Sequence, residues 1–170
     1  MLDVQTEVTD LLKREVVLMR EILASMYEEE KALVERDSKA LQQLMMQRDA
    51  PLQDLMQVRE ERGHKINELV SLLNENGHKK KVSAYDLTAL LESRGLESCE
   101  VMILRDQIIA LIEKMNQQNT TNDHIMQQSV NFWKNLMLGS HPPEYYPVNP
   151  LIEKRKALML TVINPEDNEF

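Results

Sequence analysis

Apolar residues recur at alternating steps of four and three near the start of the chain. The series has one polar member and runs Leu12, Val16, Met19, Leu23, Met26, Glu30 and Leu33. This rhythm predicts one long amphipathic helix over residues 3–36. Flanking positions widen the apolar stripe, which favours a helical bundle over an isolated dimeric coiled coil; they are Val4, Val8, Leu11, Leu18 and Ile22. The acidic run 28–30 is expected to be a mostly solvated face near the helix end.

A second stripe follows Asp37, whose carboxylate can accept hydrogen bonds from the free amides of a helix start. Three arginines stand among its members, which are Leu41, Leu44, Arg48, Leu52, Leu55, Arg59, Arg62, Ile66, Leu69 and Leu73. Nothing between Arg36 and Lys39 breaks a helix, so one continuous rod is an alternative. We predict a hairpin, because two long one-sided stripes must bury themselves against something.

Pro51 lies inside this second helix. Proline removes one backbone hydrogen bond and clashes with the preceding turn, so a kink is expected there. The alternative is a new helix that starts at Asp49. Because the apolar pattern keeps its phase across Pro51, we predict a single kinked helix.

The rest of the chain divides into a loop, two more helices and a tail. Turn residues over 74–81 predict the loop, and a variant capping box at 83–86 opens a short helix that ends near Ser93. A last long helix is predicted over 98–138. The Pro-rich segment after it predicts a flexible C-terminal tail over 140–170. The expected fold is all-α, with long antiparallel helices in a hairpin or bundle with coiled-coil-like packing, and residues 1–139 form one domain.

Composition narrows the class of protein. The 170 residues carry a net charge of −8, which argues against nucleic-acid binding. No apolar stretch approaches the roughly 18 residues of a membrane span, and no basic and apolar leader opens the chain, so a cytoplasmic protein is expected. The eleven methionines suit either an ordinary helical core or a surface that adapts to several partners.

The sequence offers little support for a catalytic site or a metal site. Glu61-x-x-His64 and Glu75-x-x-His78 have the letters of a di-iron motif, but they are too close along the chain to face each other across a bundle. Cys99 has no neighbouring base, which favours a small buried residue over a nucleophile. We therefore predict no enzyme activity, no catalytic residues, no metal and no cofactor.

Residues 119–138 are the predicted partner-binding surface, used as a groove for an amphipathic helix of another protein. Amides there interrupt the apolar stripe at helical spacing, as in helices that set register or meet a partner. Asn119 and Asn122 are expected to set register. The apolar contacts are expected from Ile125, Met126, Val130, Trp133 and Met137. The other interpretation is that these residues belong to the chain's own core.

Asn119-x-x-Asn122-Asp-His-Ile125-Met126-x-x-Ser129-Val130 is the most specific motif of the chain. It resembles the Asn-x-x-Asn-Gly-x-Leu-Ile pattern, followed by a small polar and an aliphatic residue, of the FlgN-like flagellar and type III secretion export chaperones. The resemblance spans most of residues 8–138. Asp123 replaces the usual glycine, and Pro51 is a further departure. The family's tail often carries a tyrosine beside proline and glycine, and Tyr146 is its counterpart here, without the glycine.

The resemblance implies a cytoplasmic helical chaperone that binds terminal helices of hook–filament junction subunits, or of other type III secreted subunits, and prevents premature assembly. The export gate is a candidate second partner, and Tyr146 joins the predicted partner-binding residues. The chain is expected to be a monomer or a homodimer. The rival interpretation is a structural coiled-coil rod associated with a secretion apparatus.

Overall fold

Three long α-helices make up the computed structural model, which describes residues 2–73, 89, 91–92 and 98–137. They are α1 (Leu2–Glu35), α2 (Ser38–Leu73) and α3 (Cys99–Met137). The predicted all-α fold is confirmed, and the part of the chain that the structure describes has no strand. Of the predicted short helix, Ala89, Leu91 and Glu92 are described, and they are helical. The predicted loop and the predicted tail lie outside the described residues.

The turn between α1 and α2 joins a helix C-cap directly to a helix N-cap. Arg36 has a φ of 58°, and its amide donates to the Leu33 carbonyl at 3.2 Å. The Asp37 amide donates to the Ala32 carbonyl at 2.9 Å, which completes a Schellman motif. Asp37 Oδ1 then accepts from the amides of Lys39 and Ala40 at 3.1 and 2.9 Å. The predicted cap at Asp37 is confirmed, and the continuous rod is wrong.

α2 continues through Pro51 as one helix, as predicted, and the alternative start at Asp49 is wrong. The kink at Pro51 stays a prediction. Leu52 and Leu55, which follow the proline, are both buried. The apolar phase across Pro51 therefore reflects one continuous buried face, whose burial offsets the lost backbone hydrogen bond.

α1 lies against both other helices, antiparallel to α2 and parallel to α3. Lys65 of α2 contacts Glu7 near the start of α1, whereas Arg48 of α2 contacts Glu29 near its end. Against α3, Arg20 bonds Gln107 and Glu30 bonds Gln118, at sequence separations of 87 and 88 residues. Such a nearly constant separation is what two parallel helices in fixed register produce.

One buried cluster joins all three helices. It takes in most of the apolar stripe of α1 together with five apolar residues of α2 and five of α3. Those of α2 are Leu52, Leu55, Ile66, Leu69 and Val70, and those of α3 are Val101, Leu104, Ile108, Leu111 and Met115. Leu91, from the short segment before α3, is fully buried in the same cluster. Val4, Val8 and Ile22 belong to it as well, which explains why the stripe of α1 is wider than a two-helix seam requires.

The acidic run near the end of α1 is not uniformly solvated, and that expectation was wrong. Glu28 is exposed and Glu30 is half-buried, but Glu29 retains 1% of its accessible surface. None of the described helices has an apolar stretch that could cross a bilayer.

Candidate partner-binding site

A fully buried ion pair connects α1 to α2 close to the hairpin turn. Arg48 Nη1 lies 3.0 Å from Glu29 Oε2. The rest of the guanidinium donates to Ser25, through Nε to the hydroxyl at 2.8 Å and through Nη2 to the carbonyl at 2.9 Å. Arg48 therefore binds one face of α1 over a full turn, with a carboxylate below and a serine above.

Asn122 brings α3 into the same site. Its Nδ2 donates to Glu29 Oε2 at 3.1 Å and to the Met26 carbonyl at 2.9 Å. Its Oδ1 accepts from Gln118 Nε2 at 2.9 Å, and that nitrogen also donates to Glu30 Oε2 at 2.6 Å. Asn122 is completely buried with its amide nitrogen and oxygen both bonded. We call the connected side chains the three-helix network: Ser25, Glu29, Glu30, Arg48, Gln118 and Asn122.

A second buried ionic site connects α1 and α2 further along the hairpin. Glu15 is fully buried, and its Oε1 accepts from Arg59 Nε at 2.8 Å. Arg62 Nη1 lies 3.4 Å from the other carboxylate oxygen. Burial lowers the pKa of Arg62 below its ordinary value. Glu15 opposes this shift, and the nearby Arg59 adds to it. The carboxylate of Glu15 therefore supplies the negative charge that faces the two arginines of this layer.

The two ionic sites repeat along the hairpin. Glu15 and Glu29 are two heptads apart, and so are Arg62 and Arg48. Midway between them the same antiparallel register places Ile22 level with Leu55, both fully buried. One heptad beyond Glu15, toward the start of α1, the register places Val8 level with Leu69, and both are buried. Apolar and charged layers thus alternate along the α1–α2 interface.

Such layers add specificity more than stability. Removing two charges from water costs several kcal/mol per ion, roughly what their attraction returns, so a buried pair is nearly neutral against an apolar pair of the same volume. A helix shifted along its neighbour would leave the charges buried without partners, which is strongly unfavourable. The three-helix network therefore fixes how α1, α2 and α3 align near the hairpin turn.

α3 extends past the end of its neighbour. α1 ends at Glu35, whereas α3 continues to Met137. At the separation of 88 residues seen between Glu30 and Gln118, the end of α1 is level with the middle of the Asn-rich segment. The remaining turns of α3 project roughly 15–20 Å beyond α1, at about 1.5 Å per residue. Gln127, Gln128 and Asn131 are exposed there.

A family model described as FlgN protein matches residues 1–141, which include all three helices and the whole network. The chain belongs to the FlgN family. Members of this family are flagellar export chaperones that bind protein cargo. No curated protein and no solved structure matches the chain.

The FlgN match includes the predicted partner-binding residues on α3, and the structure divides them into three groups. Asn122 is buried in the three-helix network, so its contacts in this structure are intramolecular. Asn119, on the preceding turn, and Ile125 and Met126, on the following turn, are half-buried. Val130, Trp133 and Met137 stand on helical backbone at spacings of three and four, but their side chains lie outside the described residues, as does Tyr146 entirely.

Sequence reasoning missed Glu15, Glu29 and Ser25. Arg48 and Arg62 carried a usable signal, because each stood at a core position of the second stripe. An arginine at such a position requires a buried acceptor. Glu15 and Glu29 share the two-heptad spacing of Arg48 and Arg62, but so do Glu7 and Glu21, so spacing alone does not identify the partners.

No group of three metal-ligating side chains lies together in the described ranges 2–73, 89, 91–92 and 98–137. Glu61 and His64 are both in this part of the chain, on α2. The second motif, Glu75-x-x-His78, lies outside it. Cys99 is exposed at the start of α3, whereas a small buried residue was favoured, so that prediction was wrong.

Proposed function

We propose that the chain is a cytoplasmic chaperone that binds amphipathic terminal helices of hook–filament junction subunits, or of other type III secreted subunits. It would prevent their premature assembly and deliver them to the export gate. Membership of the FlgN family supplies the general role of a flagellar export chaperone. The observation that carries the finer proposal is the projection of α3 beyond α1, because it offers a helix surface that the hairpin leaves uncovered.

The binding surface in this proposal is the C-terminal half of α3, residues 119–137. Met126, Val130, Trp133 and Met137 follow one another at steps of four, three and four, the spacing that places residues on one face of a helix. A cargo helix would lay its apolar face along this stripe, with Ile125 at its edge. Subunits that polymerise through amphipathic helices associate early unless such faces are masked. Binding of moderate affinity allows release without a nucleotide-driven step.

The proposal assigns residues 1–139 to the chaperone domain and residues 140–170 to a tail that contacts cargo or the export gate, with Tyr146 as its candidate contact. The FlgN match ends at residue 141, close to this boundary. Asn119 remains a candidate for setting the register of the cargo helix. A direct contact from Asn122 would require the three-helix network to open.

Binding of a peptide from a terminal amphipathic helix of a hook–filament junction subunit of the same organism tests the proposal. Calorimetric titration should show binding by the wild type and at least about tenfold weaker binding by Trp133→Ala, since a buried aromatic anchor contributes 2 kcal/mol or more. Tyr27→Ala is the matched control, because Tyr27 is half exposed on α1 and outside the proposed surface. Circular dichroism should show little loss of helicity in either variant.

Two outcomes would contradict the proposal. Global unfolding of Trp133→Ala would assign Trp133 to the core. Equal weakening by Tyr27→Ala and Trp133→Ala would place the surface elsewhere. Purification of the tagged protein from its native cytoplasm adds an independent check, because recovery of a secretion ATPase or ring component with no exported subunit would favour the structural-rod alternative.

A further inference from the structure

We infer that Asn122 is a positioning residue: it holds the C-terminal half of α3 in place on the α1–α2 hairpin, through the buried Glu29–Arg48 ion pair, for partner binding. The inference rests on the proposed function for what the helix binds. Its structural part, the attachment of α3 at Asn122, stands on the geometry of the three-helix network alone.

The position of Asn122 along α3 supports this role. Upstream of it, α3 is fixed to the core by buried apolar side chains, the last of which in the cluster is Met115. Downstream, α3 passes the end of α1 and projects beyond it. Between these regions, buried attachment comes from Gln118 and Asn122, and both are polar. The direction of the projecting helix is therefore set where Asn122 bonds to α1.

The bonding pattern of Asn122 can be met by an amide but not by a carboxylate. Both atoms that Asn122 Nδ2 contacts on α1, Glu29 Oε2 and the Met26 carbonyl oxygen, are acceptors. An aspartate has the same shape but has no hydrogen to donate to them while ionised, and it would place a second negative charge beside Glu29. Asn122→Asp therefore removes the two hydrogen bonds to α1 while it keeps the shape of the buried side chain.

Glu29, which belongs to α1, connects α3 to α2. One carboxylate oxygen, Oε2, accepts from Arg48 of α2 and from Asn122 of α3. The attachment of α3 thus depends on a charge whose position is fixed by the hairpin. A neutral acceptor at the same place would hold Asn122 less strongly, because hydrogen bonds to ionised groups are about twice as strong as neutral ones.

Hydrogen exchange and cargo binding together test the inference in the full chain. The variants are Asn122→Asp and Asn122→Ala, and the matched controls are Asn116→Asp and Asn116→Ala. Asn116 is exposed on the same helix, so the controls reproduce the change of residue and of charge without touching the network. The probe is the hook–filament junction peptide used above, titrated into each protein after circular dichroism has shown that its helicity is retained.

Both Asn122 variants should speed amide exchange over residues 119–137 by roughly tenfold to a hundredfold relative to their controls, while amides over 101–115 change little. Both should also bind the peptide at least about tenfold more weakly than their controls. Unchanged exchange over 119–137, an equal increase over 101–115, or faster local exchange with control-level affinity would each overturn the inference. Failure of the wild type to bind the peptide would instead count against the proposed function, and exchange alone would then decide whether Asn122 holds α3.

Discussion

Glu29 of α1 accepts a hydrogen bond from Arg48 of α2 at 3.0 Å, and the two side chains expose only 2% and 3% of their surface. The preceding residue, Glu28, is exposed. Two identical side chains thus stand side by side in the sequence, one in water and one in the core. Their substitution by glutamine should therefore have very different consequences.

Glu29→Gln should lower the free energy of unfolding by about 3–5 kcal/mol, because it leaves the Arg48 guanidinium buried without its counter-charge. Glu28→Gln is the matched control and should change the free energy by less than about 0.5 kcal/mol. Urea unfolding followed by circular dichroism measures both. Similar losses in the two variants would mean that the buried pair is not the cause.

Arg36→Gly should stabilise the protein by about 0.5–1 kcal/mol. Arg36 adopts a φ of 58° at the end of α1, where a side chain is strained and glycine is not. Arg36→Ala serves as the control, since it removes the charge and the side-chain contacts of Arg36 but keeps the strain, so it should lack the gain expected of Arg36→Gly. The urea midpoint of each variant measures the change in stability. A gain in Arg36→Ala equal to that in Arg36→Gly would assign the effect to charge rather than to conformation.

Asp37→Ala should destabilise the protein by about 1 kcal/mol, because Asp37 Oδ1 bonds two amides at the start of α2. Asp37→Asn keeps an oxygen that can accept both hydrogen bonds, so it should retain most of the stability. Thermal unfolding of the three proteins tests the order. A loss in Asp37→Asn as large as that in Asp37→Ala would point to the negative charge near the helix start, rather than to the cap.

Stability should also respond to alkaline pH through Lys65. Hydrogen bonds to Glu7 and Glu68 raise the pKa of Lys65 above its ordinary 10.5. A raised pKa in the folded state means that the ion pairs stabilise the protein below pH 10.5 and stop doing so as the pH rises through the folded-state pKa. Wild type should therefore exceed Lys65→Met in stability at neutral pH, by a small margin that salt reduces, and the margin should vanish at high pH. A margin that persists under strongly alkaline conditions would show that the methylene stem of Lys65, not its charge, is responsible.

The long helices of this fold could be predicted because burial of one helix face imposes a regular spacing on the apolar residues. The apolar stripes of α1 and α2 follow helical spacing, and Asp37 is a typical N-cap residue at the start of α2. The helix bounds and the hairpin could therefore be predicted. Parallel packing of α3 on α1 was not predictable in the same way. It depends on where the chain re-enters the bundle after residue 73 and on contacts such as Glu30 with Gln118, which no local pattern specifies.

The polar contacts of α3 were predicted in part, whereas its partner-binding role stays a prediction. The Asn-rich segment indicated a specific polar contact, since an amide on an apolar stripe calls for one, and Asn122 makes such a contact. The pattern did not reveal that Asn122 makes that contact within its own chain. Glu29 was missed because its neighbours Glu28 and Glu30 made it part of an acidic run, and composition cannot tell which member of a run turns inward.

The alternation of apolar and charged layers also bears on how the hairpin avoids mispairing while it forms. If α2 slid by one heptad along α1 in either direction, Glu15 and Glu29 would face leucines. In one of the two directions Arg48 and Arg62 would come level with Ile22 and Val8, both buried apolar residues. Every such misaligned state would bury uncompensated charge at a cost of several kcal/mol per site. Two simple heptad stripes would tolerate that slip with modest loss of contact. The charged layers therefore select one alignment of α1 and α2, although the seven-residue repeat alone would allow several. An incorrectly paired hairpin should reopen rather than persist.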